Sequence, residues 1–185
     1  PGAGDSFAGV RLSSDGTLIA VAAAAEDGSG AGINPAPNEL AMDSGAVYLY
    51  RYSAGAWLPE AYIKAQNPGA GDNFGFFLNL SGDGRTLAVS SAYEDSSGLG
   101  VGNTTTDEAG SNSGAVYLYS RDPVWRVRDF IKPGNAGSTY FGFVEMSEDA
   151  ATLVVGAPYE STSGSGINPP ATGFLSQSGA VYVYR

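Results

Sequence analysis

Five acidic residues stand where they could do chemistry: Glu26-Asp27, Glu94-Asp95 and Glu160. Each opens a long stretch rich in glycine, serine and asparagine. Carboxylates beside flexible backbone carbonyls are the donors that hard cations such as calcium take, and glycine lets the chain wrap the ion. Glu26, Asp27, Glu94 and Asp95 are therefore the candidate metal ligands. Glu160 is followed by Ser161, so a third site has one carboxylate fewer. Tyr93 and Tyr159 directly precede two of the glutamates. Their rings could stack on a sugar or a partner, or pack between neighbouring sheets. Glu26, Asp27, Tyr93, Glu94, Asp95, Tyr159 and Glu160 together make a candidate ligand-binding rim. The other reading is a structural loop capped by its own hydrogen bonds.

The rest of the composition narrows the chemistry. Neither histidine nor cysteine is present, which removes the commonest general base, the commonest transition-metal ligand and every disulfide. No activated nucleophile is legible, so a non-catalytic role is expected. A carboxylate pair could serve glycoside hydrolysis, but nothing in the spacing sets two of them across a cleft. The net charge of −10 argues against nucleic acid as a partner and disfavours anionic membrane surfaces. No apolar run approaches the length of a membrane span. The balance suits a secreted or cell-surface protein, or one that binds cations. Asn103-Thr104-Thr105 is a glycan-acceptor frame, meaningful only in a eukaryotic secreted chain.

The elements that must position these residues are legible as a repeat. Ser44-Gly45-Ala46-Val47-Tyr48-Leu49-Tyr50 returns as Ser113–Tyr119 and, with one change, as Ser178–Tyr184. A near-fixed period of this size marks a repeat architecture. The long loops keep the register too: Glu26, Glu94 and Glu160 are each followed by Ser-Gly and then by Ile33, Val101 or Ile167. Each loop is expected to fold back on that apolar anchor. Strands are expected over residues 7–12, 17–23, 45–52 and 57–64 in the first unit. In the second they fall at 86–91, 114–120 and 125–131, and in the third at 153–157 and 179–185. Asp15-Gly16, Asp83-Gly84 and Asp149-Ala150 are the tight turns between the first two strands. Trp57 and Trp125 are expected to pack at the outer rim.

Short strands with no helix signal imply an all-β chain of propeller-like blades: 1–66, 67–134 and an incomplete 135–185 lacking its outer strand. The third strands are apolar on both faces, as stacked sheets require. A β-sandwich is the alternative, but it leaves the period unexplained. Three blades do not close a ring. The chain is thus expected to be a segment of a larger propeller, or to be completed by sister chains.

The set of motifs resembles the FG-GAP repeats of integrin-α-like β-propellers, especially the bacterial exported type. Phe74-Gly75 and Phe141-Gly142 open units, Gly156-Ala157-Pro158 follows a second strand, and Leu80-Ser81-x-Asp83-Gly84-x-x-Leu87-Ala88-Val89 forms the frame between. Elsewhere the motifs have drifted, to Phe7-Ala8-Gly9, Ala22-Ala23-Ala24 and Ser90-Ser91-Ala92. The resemblance covers essentially the whole chain. It implies a seven-bladed propeller, extracellular placement, and a protein or glycan partner on the face that carries the long loops. It also implies calcium in the turn between the first two strands. Those turns keep too few carboxylates here, so that site is not carried over; any calcium is expected in the long loops instead.

Overall fold

The computed structural model describes residues 2–102, 107–135, 137–164 and 173–185. These residues form eleven strands and no helix. The first sheet is β1 (Phe7–Leu12), β2 (Leu18–Ala23), β3 (Ala46–Ser53) and β4 (Ala56–Ile63). The second is β5 (Leu78–Leu80), β6 (Thr86–Ser91), β7 (Ala115–Arg121) and β8 (Trp125–Ile131). The third is β9 (Phe143–Met146), β10 (Leu153–Ala157) and β11 (Ala180–Tyr184). Within each sheet, strands sit in sequence order and every pairing is antiparallel. Among the described residues no helix is long and apolar enough to cross a membrane. The anchor Ile167 and the Asn103 acceptor frame lie outside the described residues.

Each sheet begins with the same hairpin, and its aspartate holds the turn. Asp15 accepts from the Ser13 hydroxyl at 2.6 Å and the Thr17 amide at 2.9 Å. Asp83 accepts from the Ser81 hydroxyl and the Arg85 amide, and Asp149 from the Ser147 hydroxyl and the Ala151 amide. These bonds favour the ionised form and hold all three carboxyls below the usual carboxylate range.

The sheets pack face to face in series. Leu18, Ala20, Val47 and Leu49 of the first sheet meet Leu78, Leu87, Val89 and Tyr119 of the second. The opposite face of the second sheet, with Ala88, Val116 and Leu118, meets Val144, Leu153 and Val155 of the third. β7 is therefore buried along Ala115–Tyr119, whereas on β11 Val181 and Val183 are 69% and 60% exposed. The repeated glycine before each third strand has a cause here. Gly45 and Gly114 have φ of 81° and 79°, and a Cβ on either would collide with the backbone of Phe74 or Phe141 in the next unit.

Two expectations need correction. The fourth strand of the first sheet ends one residue early as a ladder, at Ile63, while that of the second ends at Ile131 as expected. The next amides, of Lys64 and Lys132, donate instead to Gly32 O at 2.8 Å and Gly100 O at 2.9 Å in the long loops. The anchors also differ from each other. Ile33 bridges Ile63 and packs against the core, but Val101 bridges Ile131 with its side chain 57% exposed. The backbone pairing, rather than an apolar anchor, holds that second loop.

Candidate functional site

The loop glutamates point inward. Glu26 is buried, and its carboxylate meets the Lys64 ammonium at 2.5 Å and the Tyr62 hydroxyl at 2.5 Å. Lys64 Nζ also donates to Ser44 Oγ at 2.7 Å, and that hydroxyl donates to Gly28 O. The second unit repeats the arrangement. Glu94 pairs with Lys132, which donates to Ser113 Oγ at 2.6 Å, while Asn67 Nδ2 donates to Glu94 Oε1 at 2.7 Å. Both lysines are fully buried. Burial pulls each below the ordinary lysine value, against the upward pull of its glutamate. A glutamate at the loop root, a lysine after the fourth strand and the serine before the third strand thus tie three elements together.

The neighbouring aspartates close the loops on themselves. Asp27 accepts from the Asp43 amide at 2.7 Å, and Asp95 accepts from the Asn112 amide. The four candidate metal ligands are therefore engaged by donors of their own unit. A buried ammonium already sits on Glu26 and on Glu94, and it would repel a cation from the same oxygens. Among the described residues no three carboxylates converge as a metal ion requires. The single turn carboxylates, spent on their own turns, fit calcium no better. The described carboxylates do not fit a calcium ion.

Glu160 is buried in the third unit and, among the described residues, accepts from neutral donors: Asn135 Nδ2 at 2.9 Å, Thr162 Oγ1 at 2.9 Å, and the Tyr182 hydroxyl. The seven residues of the expected rim have different contacts, though Tyr159 and Glu160 line one cavity. Glu26, Glu94 and Glu160 are roots, Asp27 and Asp95 are loop closures, and the tyrosines form a different feature.

That feature is a row of rings. Tyr93 lies between Phe76 (5.5 Å between centroids) and Tyr140 (5.4 Å), and Tyr140 meets Tyr159 at 4.8 Å. The contacts are edge-on, as ring quadrupoles prefer. Tyr159 is 44% exposed and ends the row at a cavity of about 560 Å³. Tyr140, Phe174, Thr139, Asn135 and Gln177 share its wall. Tyr140 sits at φ 52°, where the first two units carry Ser6 and Asn73 in the same conformation. This places a third ring between Tyr93 and Tyr159.

Sequence reasoning missed Lys64, Lys132, Tyr140 and Asp72. The first two carried a signal, because Glu and Lys are 38 residues apart in both units. Asp72 is buried and accepts from the Gly69 amide at 2.9 Å. Burial pushes its carboxyl up to about 7, and the negative charges of Glu94, Glu108 and Asp95 push the same way. Burial and these like charges also raise Glu108.

A scan against models of known protein families finds no match to this chain, and a search of curated proteins finds no relative.

Proposed function

We propose that the three sheets are blades of an integrin-α-like propeller, in a secreted or cell-surface protein. In this reading the chain is a non-catalytic binding module, and its loop face takes a neutral polar ligand, best matched by a glycan. The observation that carries the ligand class is the cavity of about 560 Å³ walled by Tyr140, Tyr159 and hydrogen-bonding Asn, Gln and Thr side chains. Apolar ring faces with a few converging polar groups suit a sugar, which has both kinds of surface. The net charge of −10 favours neutral over acidic glycans. In this reading Glu26 and Glu94 are roots that hold the face rigid, while Glu160, held by Asn135, Thr162 and Tyr182, lines the cavity itself.

The test is a glycan array followed by titration calorimetry on the best neutral hit. Tyr159→Ala is expected to weaken binding at least tenfold, while Trp57→Ala, an exposed aromatic away from the cavity, leaves it unchanged. Absence of any glycan hit, or equal affinity for the Tyr159→Ala variant, overturns the ligand assignment. A purely structural role is the second reading. It is favoured by the apolar side chains on the outward faces of the end sheets, Val10 and Leu12 on one and Val181 and Val183 on the other.

A further inference from the structure

Inside the second unit one carboxylate holds an amine and a carboxamide side by side. Glu94 Oε2 accepts from Lys132 Nζ, and Glu94 Oε1 accepts from Asn67 Nδ2 at 2.7 Å. The Ser96 amide also donates to Oε1, at 3.1 Å, and fixes the carboxylate between the two. The carbonyl of the same carboxamide is engaged from its other side: the Tyr117 hydroxyl donates to Asn67 Oδ1 at 2.7 Å. Glu94, Lys132 and Tyr117 are fully buried, and Asn67 is half-buried. Aromatic rings enclose the group. Phe74 and Phe130 lie 5.2 Å and 4.8 Å from the Tyr117 ring, and Lys132 Nζ lies 5.9 Å from the Phe130 centroid.

The first unit shows what is particular here. Lys64 meets Glu26 and Ser44 as Lys132 meets Glu94 and Ser113. The second oxygen of Glu26, however, takes the Tyr62 hydroxyl. Phe130 stands in the place of Tyr62, opposite the first tyrosine of the third strand, and has no hydroxyl. Asn67 takes that oxygen on Glu94 instead. An ion pair by itself requires neither a carboxamide on the carboxylate nor a hydroxyl on the carboxamide oxygen. A nucleophile, a proton carrier, an acyl carbon and an oxyanion donor require all four groups in this order. Burial supplies the remaining condition. It pulls the Lys132 amine below the ordinary lysine value, towards the uncharged form that attacks.

We propose that the folded chain joins Lys132 to Asn67 through an isopeptide bond, with Glu94 carrying the protons and Tyr117 holding the oxyanion. Glu94 takes one proton from the Lys132 ammonium. The freed Nζ electron pair attacks Asn67 Cγ, and the carbonyl pair moves onto Oδ1, where the Tyr117 hydroxyl stabilises it. Glu94 hands its proton to Nδ2 and takes a second one from Nζ. The Cγ–Nδ2 bond breaks and the Cγ–Oδ1 double bond reforms. The leaving nitrogen takes the second proton and departs as ammonium, and Glu94 is a carboxylate again. No oxidant or outside reagent enters. Both reacting groups rest on one carboxylate, so the step is intramolecular. The product closes the second unit covalently, from the segment before β5 to the end of β8. In a chain without cysteine it limits the unfolded state as a disulfide would. This inference goes beyond the ligand reading and does not rest on it.

The experiment is intact mass spectrometry of the purified, folded protein under denaturing conditions, followed by a tryptic digest. The mass is expected to fall one ammonia below that of the sequence. The digest is expected to contain the peptide of residues 65–85 joined to the peptide that begins at residue 129. Glu94→Gln and Lys132→Arg are each expected to restore the full mass. Should either variant misfold, the parent chain carries the test. Recovered unfolded in denaturant at full mass, it is expected to lose ammonia on refolding. Tyr117→Phe is expected to slow that loss about a hundredfold, the scale of removing one oxyanion donor. Folded parent protein that keeps its full mass overturns the bond. Loss of ammonia without the joined peptide, as succinimide formation at an asparagine would give, also overturns it. A joined peptide in Glu94→Gln overturns the role of Glu94, and an unchanged rate in Tyr117→Phe overturns that of Tyr117.

Discussion

Trp57 and Trp125 occupy the same place in consecutive repeats, yet they live in different solvents. Trp125 is 6% exposed and donates to Glu60 across the boundary between the first and second sheets. Glu60 is further held by Arg51 of its own sheet and Arg121 of the next. Trp57 is 42% exposed, and among the described residues its ring contact is with Tyr52 of its own sheet, 5.3 Å between centroids. The difference is not in the residue or its strand but in the sheet laid over it. The same holds for β7 and β11: nearly identical strands, one buried on both faces and one half open. In a series of stacked sheets, a repeat acquires its interior only from its neighbours.

The largest expected effect tests the root of the loops. Lys132→Met leaves Glu94 as a buried charge without its cation. The expected loss is about 3–5 kcal/mol of unfolding free energy, as for other broken buried pairs. Urea denaturation measures it. Lys132→Met combined with Glu94→Gln is expected to recover part of the loss, because the penalty belongs to the orphaned charge. A loss under 1 kcal/mol for the single variant would show that the pair is not sealed from water.

The next effect is a pH dependence between the first two units. Asp72 has a folded pKa raised to about 7 from an ordinary 3.8, so the unfolded chain ionises first. Below pH 4 both states are protonated and no penalty exists. Stability then falls as pH rises from about 4 to 7 and levels off above, by at most about 4 kcal/mol at 1.36 kcal/mol per pKa unit. Asp72→Asn is expected to remove this fall and to be more stable than the parent at pH 8. Parallel stability curves for the two proteins across that range would refute the assignment.

The smallest effect sharpens the tryptophan comparison itself. Trp125→Phe removes an indole donor to a charged acceptor and should cost about 1.5–3 kcal/mol. Trp57→Phe, with no such bond, should stay within about 0.5 kcal/mol. Equal costs would mean that the boundary between the sheets contributes little. Should a strand or sheet cover the first face, Trp57→Phe becomes costly in that assembly.

Much of the fold was legible in the residues. β1, β6, β8 and β10 fall where alternation and turn residues place them, because local backbone preference and turn chemistry act over a few residues. The loop register was legible too, but its meaning was not. Acidic pairs beside glycine read as a cation rim or a ligand rim. Glu26 and Glu94 instead face lysines 38 residues away, and only the folded sheet brings those two points together. Asp72 gave no warning, since its raised carboxyl comes from burial between units and from Glu94, Glu108 and Asp95 around it. Tyr140 stood outside the aligned motifs, where a small or polar residue holds the same left-handed backbone in the first two units.

The sequence by itself determined the period, the strand order, the turns held by Asp15, Asp83 and Asp149, and the glycines where the next unit passes too close for a side chain. These are properties of short segments and of the backbone they allow. The tertiary structure decided which charges are buried, which tryptophan is covered, and that three tyrosines from two units form one row. Burial and field are sums over neighbours distant in the chain. Identical residues therefore receive different environments, and Glu94 carries a lysine where Glu160 carries none.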